Sequence, residues 1–260
     1  MPSAPAYPPP RNLLAGKTAV ITAAAGAGIG LSVALRAAEE GASLLISDIH
    51  ERRLSEAADK VEAAVGKRPA TQLCNVTQEV EVQALKDAAV KTFGGAPDIL
   101  INNAGLGGSA SVVDMTDAQW SSVLDVSLTS VMRMCRAFLP LMYARKSGVV
   151  VNNASVLGWR AQALQSHYAA AKAGVMAFTR CAAIEAAEHN VRINAVSPSL
   201  AMHPHLAKVT PEETLKELTQ REAFGRAAET WEVANVMIFL ASDLSSYMTG
   251  EIVSVSSQRA

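Results

Sequence analysis

Apolar positions along the chain fall into two alternating patterns. Short runs rich in β-branched and aliphatic residues occur at 17–22, 42–47, 69–73, 98–102, 148–154, 191–196 and 251–255. Near-continuous apolar runs of this length read as strands buried on both faces. Between them lie longer stretches with apolar residues three and four apart, at 31–40, 51–65, 78–93, 117–143, from about 166 onward and at 229–241, which read as helices. Strand and helix repeated with short connections imply an α/β architecture with a parallel sheet and right-handed crossovers. Pro140 is expected to kink or end the long helix, and Ser197-Pro198-Ser199 to break the sixth strand. Residues 199–225 do not alternate like the rest. With a short helix begun by Thr210-Pro211, they read as an insertion at the ligand edge, of the kind that serves as a lid. No repeat or interdomain linker is visible, so 13–260 reads as a single domain. The proline-rich stretch 1–12 reads as a disordered tail.

Composition narrows this picture. Half the residues are apolar but only 5% are aromatic, which suits small-residue helices packed on a buried sheet better than a β-sandwich. A formal charge of -1 argues against nucleic acid or an anionic membrane as partner. Three cysteines, Cys74, Cys135 and Cys181, have no C-x-x-C spacing, so neither a disulfide framework nor a zinc site is expected, and a reducing cytoplasm fits. No signal peptide or membrane-spanning run is apparent. His203 and His205 lack a nearby third ligand, so no metal is expected.

Chemistry concentrates between Ser155 and Lys172. On a helix, Tyr168 and Lys172 lie one turn apart on the same face, and a nearby ammonium favours the phenolate of a tyrosine whose ordinary pKa is ~10. Such a pair alone arises often by accident. Ser155, at the end of an apolar run, adds a hydroxyl at the carboxyl edge of the sheet, where ligands of such folds bind. His167 precedes Tyr168 but points about 100° away around the helix, so it reads as a pocket-wall or surface residue. The first strand leads into Ala23-Ala-Ala-Gly26-Ala-Gly28-Ile-Gly30 and then a helix, a context in which glycines let backbone N–H groups approach a pyrophosphate. Asp48 ends the second strand, where a carboxylate accepts hydrogen bonds from an adenosine ribose and repels a 2′-phosphate, favouring NAD over NADP. Arg52 and Arg53 follow closely, and a solvated first helical turn accounts for both. Asn102-Asn103-Ala104-Gly105 forms a small polar turn after the fourth strand.

Taken in order and at their spacings, these residues resemble the short-chain dehydrogenase/reductase family from about residue 14 to the C-terminus. The resemblance implies a single-domain Rossmann fold, a seven-stranded parallel sheet with helices on both faces, assembled as a homotetramer or homodimer. It implies hydride transfer between NAD(H) and an alcohol or ketone, with Tyr168 as the acid–base group, Ser155 and Lys172 assisting, and Ser127 where the family's catalytic asparagine stands. Cofactor contacts would come from Gly26, Ala27, Gly28, Ile29 and Gly30 in the turn and from Asp48 with Ile49. Further contacts would come from Asn75 with Val76, and from Asn103, Ala104 and Gly105. Tyr168 and Lys172 would hold the ribose end, with Pro198, Ser199, Ala201 and His203 beyond it.

The sequence also departs from the family pattern. Ala23-Ala24 stands where the turn usually begins T-G, with Thr22 one place earlier, which is expected to remove a bracing hydroxyl. Asn75 replaces an acidic residue, Pro198-Ser199 the usual P-G, and Ser256-Ser257-Gln258 the terminal D-G-G. Such changes leave open a catalytically weak NAD-binding sensor or scaffold. The pocket wall is expected from 107–110, 156–159, 162–166 and 199–209, where Leu157, Trp159, Met202 and Leu206 suit a bulky lipophilic substrate. The form of the glycine turn also resembles actinobacterial members associated with sterol-ring and acyl-CoA breakdown.

Overall fold

The computed structural model describes residues 3–209 and 212–258. The chain runs β1 (Thr18–Ile21), α1 (Ile29–Glu39), β2 (Ser43–Asp48), α2 (Glu51–Val65), β3 (Ala70–Leu73), α3 (Glu79–Phe93) and β4 (Ile99–Asn102). It continues through α4 (Asp117–Leu124), a π-helical turn (Asp125–Thr129), α5 (Ser130–Arg145), β5 (Gly148–Asn153), α6 (Ser166–Ala187) and β6 (Val191–Pro198). The last part holds β7 (Ala201–Met202), α7 (Pro204–Val209), α8 (Glu212–Arg221), β8 (Ala228–Glu229), α9 (Thr230–Ala241) and β9 (Ile252–Val255). Seven strands form one parallel sheet in the order β3-β2-β1-β4-β5-β6-β9, and β7 pairs with β8 apart from it.

Strand periodicity sorts the core into two layers. Ala19 and Ile21 of β1 face the layer built with α1, α2 and α9, whereas Val20 between them faces α3, α5 and α6. Because both faces are covered, Ile99, Leu100 and Ile101 are all buried, which is why the strands read as unbroken apolar runs. Strand order reverses between β1 and β4, so the turns after these strands open on either side of one crevice at the carboxyl edge.

Three local expectations are corrected. Pro140 neither ends nor interrupts its helix, for α5 continues to Arg145. Pro140 and Arg136, one turn before it, are both exposed, so water can take the hydrogen bond the proline cannot donate. The irregularity comes earlier, at the π turn. Pro198 does not break β6 but pairs with Val255. Ala195 and Ser199 donate to the β9 side, so the N–H that Pro198 lacks would point toward β5, which has already ended at Asn153. Finally, residues 3–12 have almost no regular structure, yet they are not loose. Arg36 donates to the carbonyls of Pro8 (2.6 Å) and Pro9 (3.2 Å), and Glu40 accepts from the N–H groups of Arg11 and Leu13 at 2.9 Å. Tyr7 meets Trp231 edge-on at 5.4 Å. The tail is ordered by a buried Arg36–Glu40 pair on α1 that composition does not reveal.

The expected insertion folds as α7 and α8 between β7 and β8, and the start predicted at Thr210-Pro211 lies outside the described residues. No helix among the described residues is long and apolar enough to cross a membrane.

Candidate active site

The turn after β1 is shaped by two backbone demands. Ala23 and Gly26 adopt positive φ (51° and 93°), and Gly30 sits where a Cβ would lie 2.1 Å from the Ala23 carbonyl oxygen and 2.5 Å from Asn103 Nδ2. Only glycine allows α1 to approach the turn this closely. Gly28 caps α1 without any side-chain hydrogen bond, and a Cβ there would enter nearly open space, its nearest neighbour being His203 Cγ at 4.0 Å. An uncapped helix start behind an open glycine backbone, with no acidic residue in its first turn, suits a phosphate group. Asp48 stands beside it, accepting from Ala25 N–H (3.2 Å) and His50 N–H (3.1 Å). Burial raises its pKa, opposed by the Ala25 N–H, the Arg53 charge and the Ile49 N–H. Arg52 is solvated and paired with Glu56, as a first-turn residue should be, whereas Arg53 is half-buried near Asp48. A dinucleotide therefore fits these residues.

Loss of the family hydroxyl at position 23 is made good by a route that sequence reasoning missed. Thr22 Oγ1 accepts from the N–H groups of Asn103 (3.0 Å) and Ala104 (3.2 Å). Asn103 in turn donates from Nδ2 to the Ala23 carbonyl (3.1 Å) and accepts from Asn153 (3.0 Å), tying the ends of β1, β4 and β5 together. The strand pairing of β1 with β4 would have been the signal, but it is not written in the local pattern.

Ser155, Tyr168 and Lys172 converge on the carboxyl edge. The Ser155 side chain is near enough to the Tyr168 hydroxyl to lower its pKa, and Ser155 Oγ accepts from Leu157 N–H (3.2 Å). Lys172 Nζ lies 5.6 Å from the centre of the Tyr168 ring, is almost wholly buried, and donates to the Asn153 carbonyl at 2.6 Å. The electrostatics differ from expectation. Burial raises the Tyr168 pKa above its ordinary value, and the opposing influence is Ser155 rather than the ammonium. Lys172 is itself pulled down to about 8 by burial.

Ser127 does not face Lys172 with a free hydroxyl. It lies buried in the π turn, where its Oγ donates to the Leu106 carbonyl and accepts from the Leu106 N–H, both at 2.9 Å. Gly105 sits between the two side chains, so that a Cβ there would be 3.4 Å from Lys172 Nζ and 3.9 Å from Ser127 Oγ.

The other expected contacts are more scattered. Asn75 holds its amide oxygen in a turn with Thr77 N–H (3.1 Å) and Oγ1 (2.8 Å), leaving the amide nitrogen as the donor. Ile49 and Ala27 are exposed, Ile29 packs against the core, and Val76 is buried in it. Pro198 and Ala201 are buried, and Ser199 N–H is spent on the Val255 carbonyl. His203 Nδ1 accepts from Leu206 N–H at 3.2 Å. His167 is not a surface residue but is buried under the 107–110 loop, with a Cβ on Gly108 falling 2.9 Å from its Nε2. A pocket of about 350 Å³ is lined by Leu157, Arg160, Ala161, Gln162, Arg221 and Gln258. Of the apolar wall residues expected it holds Leu157 and not Trp159, Met202 or Leu206.

Comparisons with known proteins show what the chain is similar to. Residues 23–257 match the family described as enoyl-(acyl carrier protein) reductase. The chain is 59% identical over 248 residues, covering 95% of it and 94% of the relative, to a (5R,7aS)-5-hydroxy-7a-methyl-1-oxo-2,3,5,6,7,7a-hexahydro-1H-indene-carboxyl-CoA reductase of Mycobacterium tuberculosis. It is 39% identical over 245 residues, 93% of this chain and 95% of the relative, to a cis-4-hydroxycyclohexanecarboxylate dehydrogenase of Sinomonas cyclohexanicum. Among solved structures, a short chain dehydrogenase from Mycobacterium smegmatis superposes with a TM-score of 0.87 at 56% identity, covering 99% of both chains.

Proposed function

Because the chain belongs to the short-chain dehydrogenase/reductase family and is thus a nicotinamide-dependent oxidoreductase of hydroxyl and keto groups, we propose that it interconverts a ring ketone and its secondary alcohol with NAD(H). The substrate class would be bulky, lipophilic ring compounds carrying a carboxyl or acyl-thioester arm, as the names of the two relatives suggest. The observation that carries the reading is the convergence of Ser155 and Tyr168 at the carboxyl edge with the Lys172 ammonium 5.6 Å from the phenol ring.

When bound, the nicotinamide supplies or accepts the hydride. In reduction the Tyr168 hydroxyl donates its proton to the substrate oxygen, and in oxidation the phenolate takes it back. Ser155 donates a hydrogen bond to the same oxygen as its charge changes. Lys172 holds the ribose and supplies positive charge, while Asp48 accepts from the adenosine ribose, which supports NAD over NADP. A phenol whose pKa is raised is protonated at neutral pH and is therefore poised for reduction. Oxidation near pH 7 asks for more than the ~4 kcal/mol of phenolate stabilisation that an ordinary tyrosine would need at ~1.4 kcal/mol per pKa unit. The inserted segment around α7 and α8 serves as the substrate lid, and the protein works in the cytoplasm as a homotetramer or homodimer.

Tyr168→Phe tests this directly. It should bind NADH nearly as well as the parent while turnover of a panel of ring ketones falls by orders of magnitude. Near-normal turnover would reject the assignment, and a parent enzyme faster with NADPH would reject the cofactor preference. A sensor or scaffold would show no ketone reduction in the parent enzyme.

A further inference from the structure

Thr179, Asn152 and Asn102 form a row of hydrogen bonds between α6 and the sheet that the mechanism does not use. Asn152 Nδ2 donates to Thr179 Oγ1 (2.9 Å), and Asn102 Nδ2 donates to Asn152 Oδ1 (2.9 Å). All three side chains are almost wholly buried. The two asparagines are register partners of β4 and β5, so the row steps from the helix across both strands, and Asn102 Nδ2 reaches on to Cys135 Sγ of α5 at 3.7 Å. Around it Leu100, Val150, Val175 and Met176 belong to the apolar core. A buried amide or hydroxyl is costly unless bonded, and apolar side chains of similar shape would fill the same space with little loss of stability. What such a row supplies is direction, because its bonds are made in one arrangement of helix and strands.

The same helix carries Tyr168 and Lys172. Thr179 stands about two turns after Lys172 and shares its face. Their contacts fall on consecutive residues of β5, with Lys172 Nζ on the Asn153 carbonyl at 2.6 Å and Thr179 Oγ1 on the Asn152 amide at 2.9 Å. Sliding α6 by one residue would move it by about 1.5 Å and turn it by about 100°, which breaks both. A lysine stem is flexible and can follow a small displacement of its helix, whereas threonine is stiff at χ1 and carries its hydroxyl close to the backbone. The Thr179 bond is therefore the stricter of the two in fixing where the helix lies.

We propose that Thr179 is a positioning residue for the reaction, whose hydrogen bond to Asn152 sets the axial place and the rotation of α6 on β5 and, through them, the places of Tyr168 and Lys172. The inference rests on those two residues acting as proposed above.

The test is Thr179→Val in the whole protein, which keeps the branched shape and removes the acceptor. Its crystal structure should show Lys172 Nζ drawn away from the Asn153 carbonyl, and kcat for ketone reduction at saturating NADH should fall ~10-fold or more, as small misplacements of reacting groups do. Thr179→Ser returns the hydroxyl and should keep kcat close to that of the parent. Ala186→Gly, at another buried position of α6, weakens the helix without touching the row, so it should lower the melting temperature and leave kcat unchanged. The proposal is overturned by an unmoved Lys172, by a Thr179→Val kcat close to the parent's, or by a Thr179→Ser as slow as Thr179→Val. It is overturned equally by an Ala186→Gly slowed as much at the same loss of melting temperature. Thr179→Ala gives the same readings if the valine variant does not fold, and failure of both to fold would leave Thr179 a structural role alone and overturn the proposal too. The crystal structure needs no turnover, so a parent that reduces no ketone, with Lys172 displaced in the variant, would sink the proposed reaction alone. An active parent whose variant keeps Lys172 in place would sink only the role of Thr179.

Discussion

Ser155 lowers the pKa of the Tyr168 phenol, whereas Lys172, 5.6 Å from the phenol ring, donates to the Asn153 carbonyl at 2.6 Å. In this state serine, not lysine, opposes the effect of burial on the phenol.

Ser155→Ala removes the one influence that lowers the Tyr168 pKa, so that pKa should rise further. Alcohol oxidation requires the phenolate, and the ascending limb of its kcat/KM profile should move to higher pH. Ketone reduction requires the phenol and should keep its profile near neutrality while losing rate from the missing hydrogen bond. Profiles measured in both directions check this, and an unmoved oxidative limb would contradict it.

Lys172→Met should trade activity for stability. Burial holds the folded-state pKa of Lys172 at about 8 against an ordinary 10.5. Below that lower value both folded and unfolded chains bind the proton, and the fold bears the whole cost of the buried charge. Between the two values the unfolded chain binds more protons, so parent stability rises by up to ~1.4 kcal/mol per pH unit, and the variant lacks this slope. Denaturant unfolding from about pH 7 to 10 should show the parent gaining on the variant, which is inactive throughout.

Gly28 and Gly30 should separate binding from folding. An alanine at 30 would thrust its Cβ into the Ala23 carbonyl, lowering both thermal stability and NADH affinity. One at 28 meets open space, so stability should hold while NADH affinity falls, because the methyl stands where the pyrophosphate must approach. Thermal melts and NADH fluorescence titration distinguish the two.

Ser127→Ala leaves the Leu106 N–H and carbonyl without their partner and should cost about 1 kcal/mol or more. The loop from Gly105 onward loosens and KM rises. The pH dependence of kcat should stay fixed, since the hydroxyl serves Leu106 and not Lys172. A shifted kcat profile would restore a proton-relay role.

The order of strands and helices and the identity of the residues at the carboxyl edge follow from sequence alone. Apolar period and glycine placement are local properties, and Tyr168 and Lys172 share a helix face at any one-turn spacing. Tertiary structure decided what depends on groups distant in the chain. Thr22 replaces a lost brace only because β1 lies beside β4. The tail is ordered only because Arg36 and Glu40 reach it from α1, and Ser127 is committed only because Leu106 crosses the π turn. The direction of the Tyr168 pKa is of the same kind. Desolvation is set by everything packed around a group, and no spacing along the chain encodes it.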